Sequence, residues 1–227
     1  MVGSVLAAGA AGAAGWIGGL EPLEAAGKAP DDLTLVIGEE IRQSVREMTR
    51  RPGPGARRFA GALKMYAANG RSRRMDDEVA KYYRQRVATE GRDAVLIEEP
   101  DWALVRTEAR SLGIDRITPT PIDMASRSRA LDAMLAGKFT AFLDHVAKDV
   151  DGRSQRMDER GVPGVRPVYY RDAGCIATME MENWASWGIR ISCATSIVFW
   201  GDVPVCAAAI GVWAGIWLAN EADGCHS

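Results

Sequence analysis

Residues 1–174 contain no cysteine, and residues 175–227 contain no lysine and a single arginine, Arg190. Histidine is nearly missing from the whole chain, with two residues, His145 and His226. The four cysteines form no C-x-x-C pair, being separated by 17, 12 and 18 residues, which argues against a zinc site or a thioredoxin-like motif. G-x-S-x-G, H-E-x-x-H, P-loop and G-x-G-x-x-G signatures are all absent, so no catalytic constellation and no cofactor are expected. The near absence of bases after position 174 excludes a phosphate-binding surface there, and with it nucleic acid as a partner of that segment.

What is present divides the chain in two. Residues 1–174 carry 27 basic and 25 acidic side chains and are about neutral, whereas residues 175–227 carry five acids and one base, formally -4. Cys175, Cys193, Cys206 and Cys225 lie in this tail, with five of the seven tryptophans: Trp184, Trp187, Trp200, Trp213 and Trp217. The even number of cysteines in one segment predicts disulfides formed in an oxidising compartment; buried free thiols are the alternative. Residues 2–20 are uncharged and rich in glycine and alanine, followed by small residues suited to a signal peptidase, but no basic stretch precedes them. We read residues 1–30 as a leader or degenerate signal segment.

From Asp32 the pattern is helical. Leu33, Ile37, Ile41, Val45 and Met48 form one stripe, and Arg51-Pro52-Gly53-Pro54-Gly55 is expected to end it. Further helices are predicted over 56–68, 75–89 and 102–112, the last capped by Asp101, and a long one over 124–149, opened by Asp123. Gly137 lies inside this last helix as a candidate kink. Ala94-Val95-Leu96-Ile97 is a short apolar run with no strand partner, read as irregular or helical. Glu98, Glu99 and Asp101 are neighbouring carboxylates read as surface groups, as is His145 beside Asp144. Residues 31–150 thus form a helical body. Residues 151–174, charged and broken by Gly152, Gly161, Pro163, Gly164 and Pro167, read as an exposed linker open to proteases.

The tail is predicted to be an apolar αα-hairpin. One helix runs from Ile176 to about Trp200, the turn is Gly201-Asp202-Val203-Pro204, and an unbroken apolar run follows from Val205 to Ala219. Counted from Val203 to Ala219, the stretch is 17 residues, about 26 Å at 1.5 Å per residue. That is the lower limit for crossing a bilayer core of about 30 Å. Cys175 and Cys225 fall at the open end of such a hairpin, which favours the nested pairing, with Cys193 joined to Cys206; a sequential pairing requires each segment to fold back on itself. The tryptophans suit a membrane interface, where the ring is half apolar and its N–H stays wet; the other reading makes them core residues of a stapled module. The predicted fold class is all-α, a helical body plus a disulfide-stapled C-terminal hairpin.

This layout, and Gly174–Ser227 in particular, resembles precursors of secreted prokaryotic peptide toxins, the halocin-type bacteriocins and the sporulation-delaying peptide toxins. The resemblance implies an exported precursor, located outside the cell or in the envelope. A processing protease would release its C-terminal peptide to act on the lipid bilayer of a target cell, and an immunity protein would be a further partner. Two other classes stay open on the residues alone: a membrane-anchored envelope protein with a C-terminal transmembrane hairpin, and a soluble helical binding protein that buries the tail against the body.

Overall fold

The computed structural model describes residues 32–160, 180–189 and 203–223, and among these the secondary structure is entirely helical. In chain order the helices are α1 (Asp32–Met48), α2 (Pro52–Ser72), α3 (Met75–Glu90), α4 (Arg92–Leu96), α5 (Trp102–Ser111), α6 (Met124–Leu135) and α7 (Phe139–Arg160). The tail adds α8 (180–189) and α9 (Val203–Asp223). The all-α class is therefore correct.

The stripe of α1 packs as its spacing predicts: Ile37, Ile41, Val45 and Met48 are buried. Leu33 is not, being 51% exposed, and Thr34 takes the inward position, where its hydroxyl accepts from Asn69 Nδ2 at 3.2 Å. The proline–glycine segment does not form a loop. Pro52 opens α2, since the first turn of a helix needs no N–H from it. Gly55 is required there, because a Cβ would lie 2.3 Å from the backbone nitrogen of Met48. One arginine then rivets α1 to α2 at the surface: Arg58 Nη2 donates to Glu40 at 2.8 Å and to Gln43 at 2.9 Å.

Asp101 caps α5 by accepting from the backbone N–H groups of Ala103 (2.9 Å) and Leu104 (3.2 Å), and Asp123 caps α6 through Ala125 at 3.1 Å. Such caps contribute about 1 kcal/mol each. The long helix expected over 124–149 is two helices. Gly137, at φ +67°, sits just past α6, with Gly137 N–H donating to the Met134 carbonyl and Lys138 N–H to the Ala133 carbonyl. This pair of bonds is a Schellman stop, which an L side chain at that φ disfavours. Asp76 of α3 caps the restart, accepting from Thr140 N–H and Oγ1, both at 2.7 Å.

Helix α7 also runs past its expected end. Residues 151–160, read from sequence as the start of a linker, are its last turns, with Arg153, Ser154 and Met157 buried. The inward face there is polar, so it left no apolar period. Residues 161–174 lie outside the described residues.

Two cores result. The main one joins α1, α2, α5, α7 and α9; the other gathers α3, α4 and α6 around Tyr83, Leu131 and Met134. Helix α8 contributes to both, Met181, Ala185 and Ile189 to the first and Trp184 and Trp187 to the second.

Candidate functional site: the enclosed C-terminal segment

Helix α9 is apolar on every side, a pattern that belongs either to a membrane span or to the centre of a protein. Here it is central. Residues 210–217 are all buried, and α1, α2, α5 and α7 pack around the helix. No described helix is long and apolar enough to cross a membrane. Close approach depends on small residues one turn apart. A Cβ on Gly211 would be 3.1 Å from Ile41 Cγ2, and one on Gly215 would be 2.4 Å from Phe59 Cζ. Further along the same side, Ala208 Cβ faces Gly38. In lipid, such a small-xxx-small face joins helices to each other; in this chain α1 and α2 occupy it.

The tryptophans expected at a membrane surface are core residues wherever they are described. Trp213 and Trp187 are fully buried, Trp184 and Trp217 nearly so. Trp213 meets Trp102 edge to face at 5.6 Å between centroids, and Trp217 is 6.3 Å from Trp213. Trp184 stacks on Phe142 at 3.8 Å, while Trp187 lies 4.7 Å from the Tyr83 ring. The polar handles are used inside: Trp187 Nε1 donates to the Val95 carbonyl and Trp213 Nε1 to Thr120 Oγ1, both at 3.0 Å. Burial pushes the phenol of Tyr83 well above its ordinary pKa and that of Tyr66 up to about 12, as expected where an ionised ring would have no water.

A buried polar network ties tail to body, and sequence reading did not single it out. Glu182 (α8) is 1% exposed; its Oε1 accepts from Thr120 Oγ1 at 2.6 Å and its Oε2 from Asn220 Nδ2 at 2.7 Å. Asn220 Oδ1 accepts in turn from Arg153 Nη1 of α7 at 3.1 Å. Arg153 also pairs with Asp149 at 2.6 Å. Nearby, Asn183 accepts from the backbone of Asp123 (3.1 Å), and Glu180 pairs with Arg129 at 2.8 Å. The available signal was the interruption of an apolar tail by Glu182, Asn183 and Asn220.

Of the other expected site residues, Cys206 is half-buried against the main core and is not a free thiol; Cys175, Cys193 and Cys225 lie outside the described residues, as do Trp200, Gly201 and Asp202. Pro204 is the second residue of α9 rather than part of the preceding turn. The carboxylates near position 100 hold structure: Glu98 pairs with Arg86 at 2.7 Å, Glu99 accepts from Trp102 Nε1 at 3.2 Å, and Asp101 is the α5 cap. His145 is exposed. Arg127, fully buried, donates through Nη1 to the carbonyls of Leu96 (2.8 Å) and Glu98 (2.7 Å), and desolvation lowers its pKa. Among the described residues no group of acids, histidines and cysteines could hold a metal ion. Compared with family models, curated proteins and solved structures, the chain matches none.

Proposed function

We propose that this chain is an exported precursor whose helical body keeps a membrane-active C-terminal segment latent by enclosing it. The observation that supports this reading most is α9 itself: apolar from Val205 to Ala219, with residues 210–217 buried among helices of the body. In water, exposing Ile210, Val212 or Ile216 would forfeit about 1.5–3 kcal/mol per side chain, so a freed α9 must find either its old cavity or a bilayer. Enclosure satisfies that demand before release; lipid satisfies it afterwards. The tail is a disulfide-stapled hairpin in this reading, and a protease cuts between 161 and 174, where Gly161, Pro163, Gly164 and Pro167 disfavour regular structure. The product acts on the bilayer of a target cell, outside the producing cell or at its envelope.

A second reading has its own support. The buried polar network is an expensive feature for a segment destined to leave, since buried ionic groups are stable only with their partners. It fits a helical binding protein that keeps its tail permanently. One experiment separates the two. The intact chain and the oxidised 175–227 peptide, purified after cleavage, are diluted into dye-loaded vesicles of phosphatidylcholine and of phosphatidylglycerol. The precursor reading expects leakage from the peptide and none from the intact chain. A peptide that stays aqueous, compact and monomeric without leakage contradicts it and leaves the binding protein.

A further inference from the structure

We propose that the outer face of the α1/α2 hairpin is a docking surface for the chain's own N-terminal segment. Trp16, Ile17, Leu20 and Leu23 are the side chains that cover Leu33, Val36 and Met65 there. The proposal goes beyond the precursor reading and does not rest on it, because a segment tethered beside an apolar face covers it whatever the tail does.

The face is one strip with two unlike halves. On α1, Leu33, Val36, Glu40, Gln43 and Glu47 recur at alternating spacings of three and four, so they lie along one side of the helix. On α2, Arg58, Met65 and Ser72 repeat every seven residues and likewise share a side. Hydrogen bonds fix how the two helices meet. Arg58 donates to Glu40 at 2.8 Å, to Gln43 at 2.9 Å and to Glu47 at 3.4 Å, whereas Thr34 accepts from Asn69 at 3.2 Å. The helices therefore run antiparallel, and Met65, between Arg58 and Asn69, stands beside the turn of Val36. At one end of the strip the charged groups satisfy one another. At the other, Val36 is 60% exposed, Leu33 51% and Met65 45%. A single exposed apolar side chain is ordinary; three on adjoining turns form a patch of the kind that marks a contact.

Attachment, chemistry and tethering all point to the N-terminal segment as the occupant. Residues 1–31 join the body at the patch itself, since Asp32 opens α1 and Leu33 is the next residue. Leu33 lies ten positions after Leu23. Such a connector can span up to about 33–36 Å, whereas Leu33 and Val36 are only about 4.5 Å apart along the helix, so the segment reaches back with length to spare. Its chemistry matches the patch: residues 2–20 carry no charge, and four large apolar side chains gather between Trp16 and Leu23. A short tether also holds an effective concentration on the order of mM, so a contact too weak between separate molecules stays closed here. Removal of the residues before Leu33 would turn the same face from a covered one into an open one.

Methionine oxidation reads the coverage. Met65 and Met124 are almost equally exposed on the helical body, at 45% and 43%, and buried Met48, at 3%, reports an intact core. The full-length chain is treated with dilute hydrogen peroxide at several protein concentrations, and each methionine is followed by mass spectrometry. In the parent chain Met65 is expected to oxidise about tenfold more slowly than Met124, the protection given when the dissociation constant lies about tenfold below the effective concentration. The triple variant Trp16→Ser, Ile17→Ser, Leu20→Ser should bring Met65 to within about twofold of Met124, since thioether oxidation follows access. Leu33→Ser with Val36→Ser should do the same from the other side of the contact, with Met48 slow in both variants. Equal rates for Met65 and Met124 in the parent chain would show an uncovered face and overturn the proposal. Protection that survives the triple variant overturns it as well. Protection that fades on dilution as a dimer dissociates assigns the face to a second copy instead. Protection that arises only after phosphatidylcholine vesicles are added assigns it to lipid, and either result rejects the N-terminal segment as occupant.

Discussion

Replacing Gly215 by leucine is expected to destabilise the intact chain by at least about 3 kcal/mol, and Gly215→Ala by about 1–3 kcal/mol, the range for overpacking a filled core. The reason is local. A Cβ at this position would lie 2.4, 2.5 and 2.8 Å from three atoms of the Phe59 ring. Phe59 is fully buried, and a ring edge offers no flexible end that could move aside. Relief would require α9 to move away from α2, opening the main core. The comparison variant is Gly61→Ala in α2. A Cβ there meets nothing within 4 Å, so the change is expected to stabilise the helix by about 0.5–1 kcal/mol. Urea unfolding of the three variants checks the opposite signs. A Gly215→Leu protein that unfolds at the parent midpoint would place α9 outside the core.

Trp213→Ala and Trp187→Ala are each expected to cost about 3–5 kcal/mol, the usual penalty for truncating a buried indole. Trp213 loses its edge-to-face contact with Trp102 and its bond to Thr120. Trp187 loses Tyr83 and the Val95 carbonyl. The two sit in different cores, so their losses should add to within about 0.5 kcal/mol in the double variant. Unfolding midpoints in urea, with near-ultraviolet circular dichroism as a packing signal, measure this without any lipid. If these tryptophans served only as membrane anchors, the same substitutions would leave the midpoint of the intact chain unchanged and alter only partitioning.

Local rules carried much of the fold. The α1 stripe from Ile37 to Met48 and the Asp101 and Asp123 caps depend on neighbours within one or two helical turns, so spacing reveals them, whereas Gly137 reads only as a kink inside one helix and instead ends it. The start of α2 at Pro52 was masked because proline and glycine mark a stop and a first turn equally well. The last turns of α7 were masked because Arg153 and Ser154 face inward where a leucine would have kept the period. The site was hidden for a different reason. An all-round apolar helix has the same sequence pattern whether lipid or other helices surround it, and a tryptophan suits either setting. Thr120, Arg153, Glu182 and Asn220 come from four separate segments, and their meeting is a property of the tertiary fold alone. The resemblance to toxin precursors rests on layout, and it concerns what a released tail would do.

Enclosure of α9 in the intact chain is the central claim, and the Gly215–Phe59 contact tests it most directly. In aqueous buffer without lipid, nuclear Overhauser effects should connect the Gly215 α-protons to the Phe59 ring protons, and ring current should move those α-protons away from their random-coil shifts. Random-coil Gly215 shifts with no connection to Phe59 would contradict the account and return the tail to a segment separate from the body.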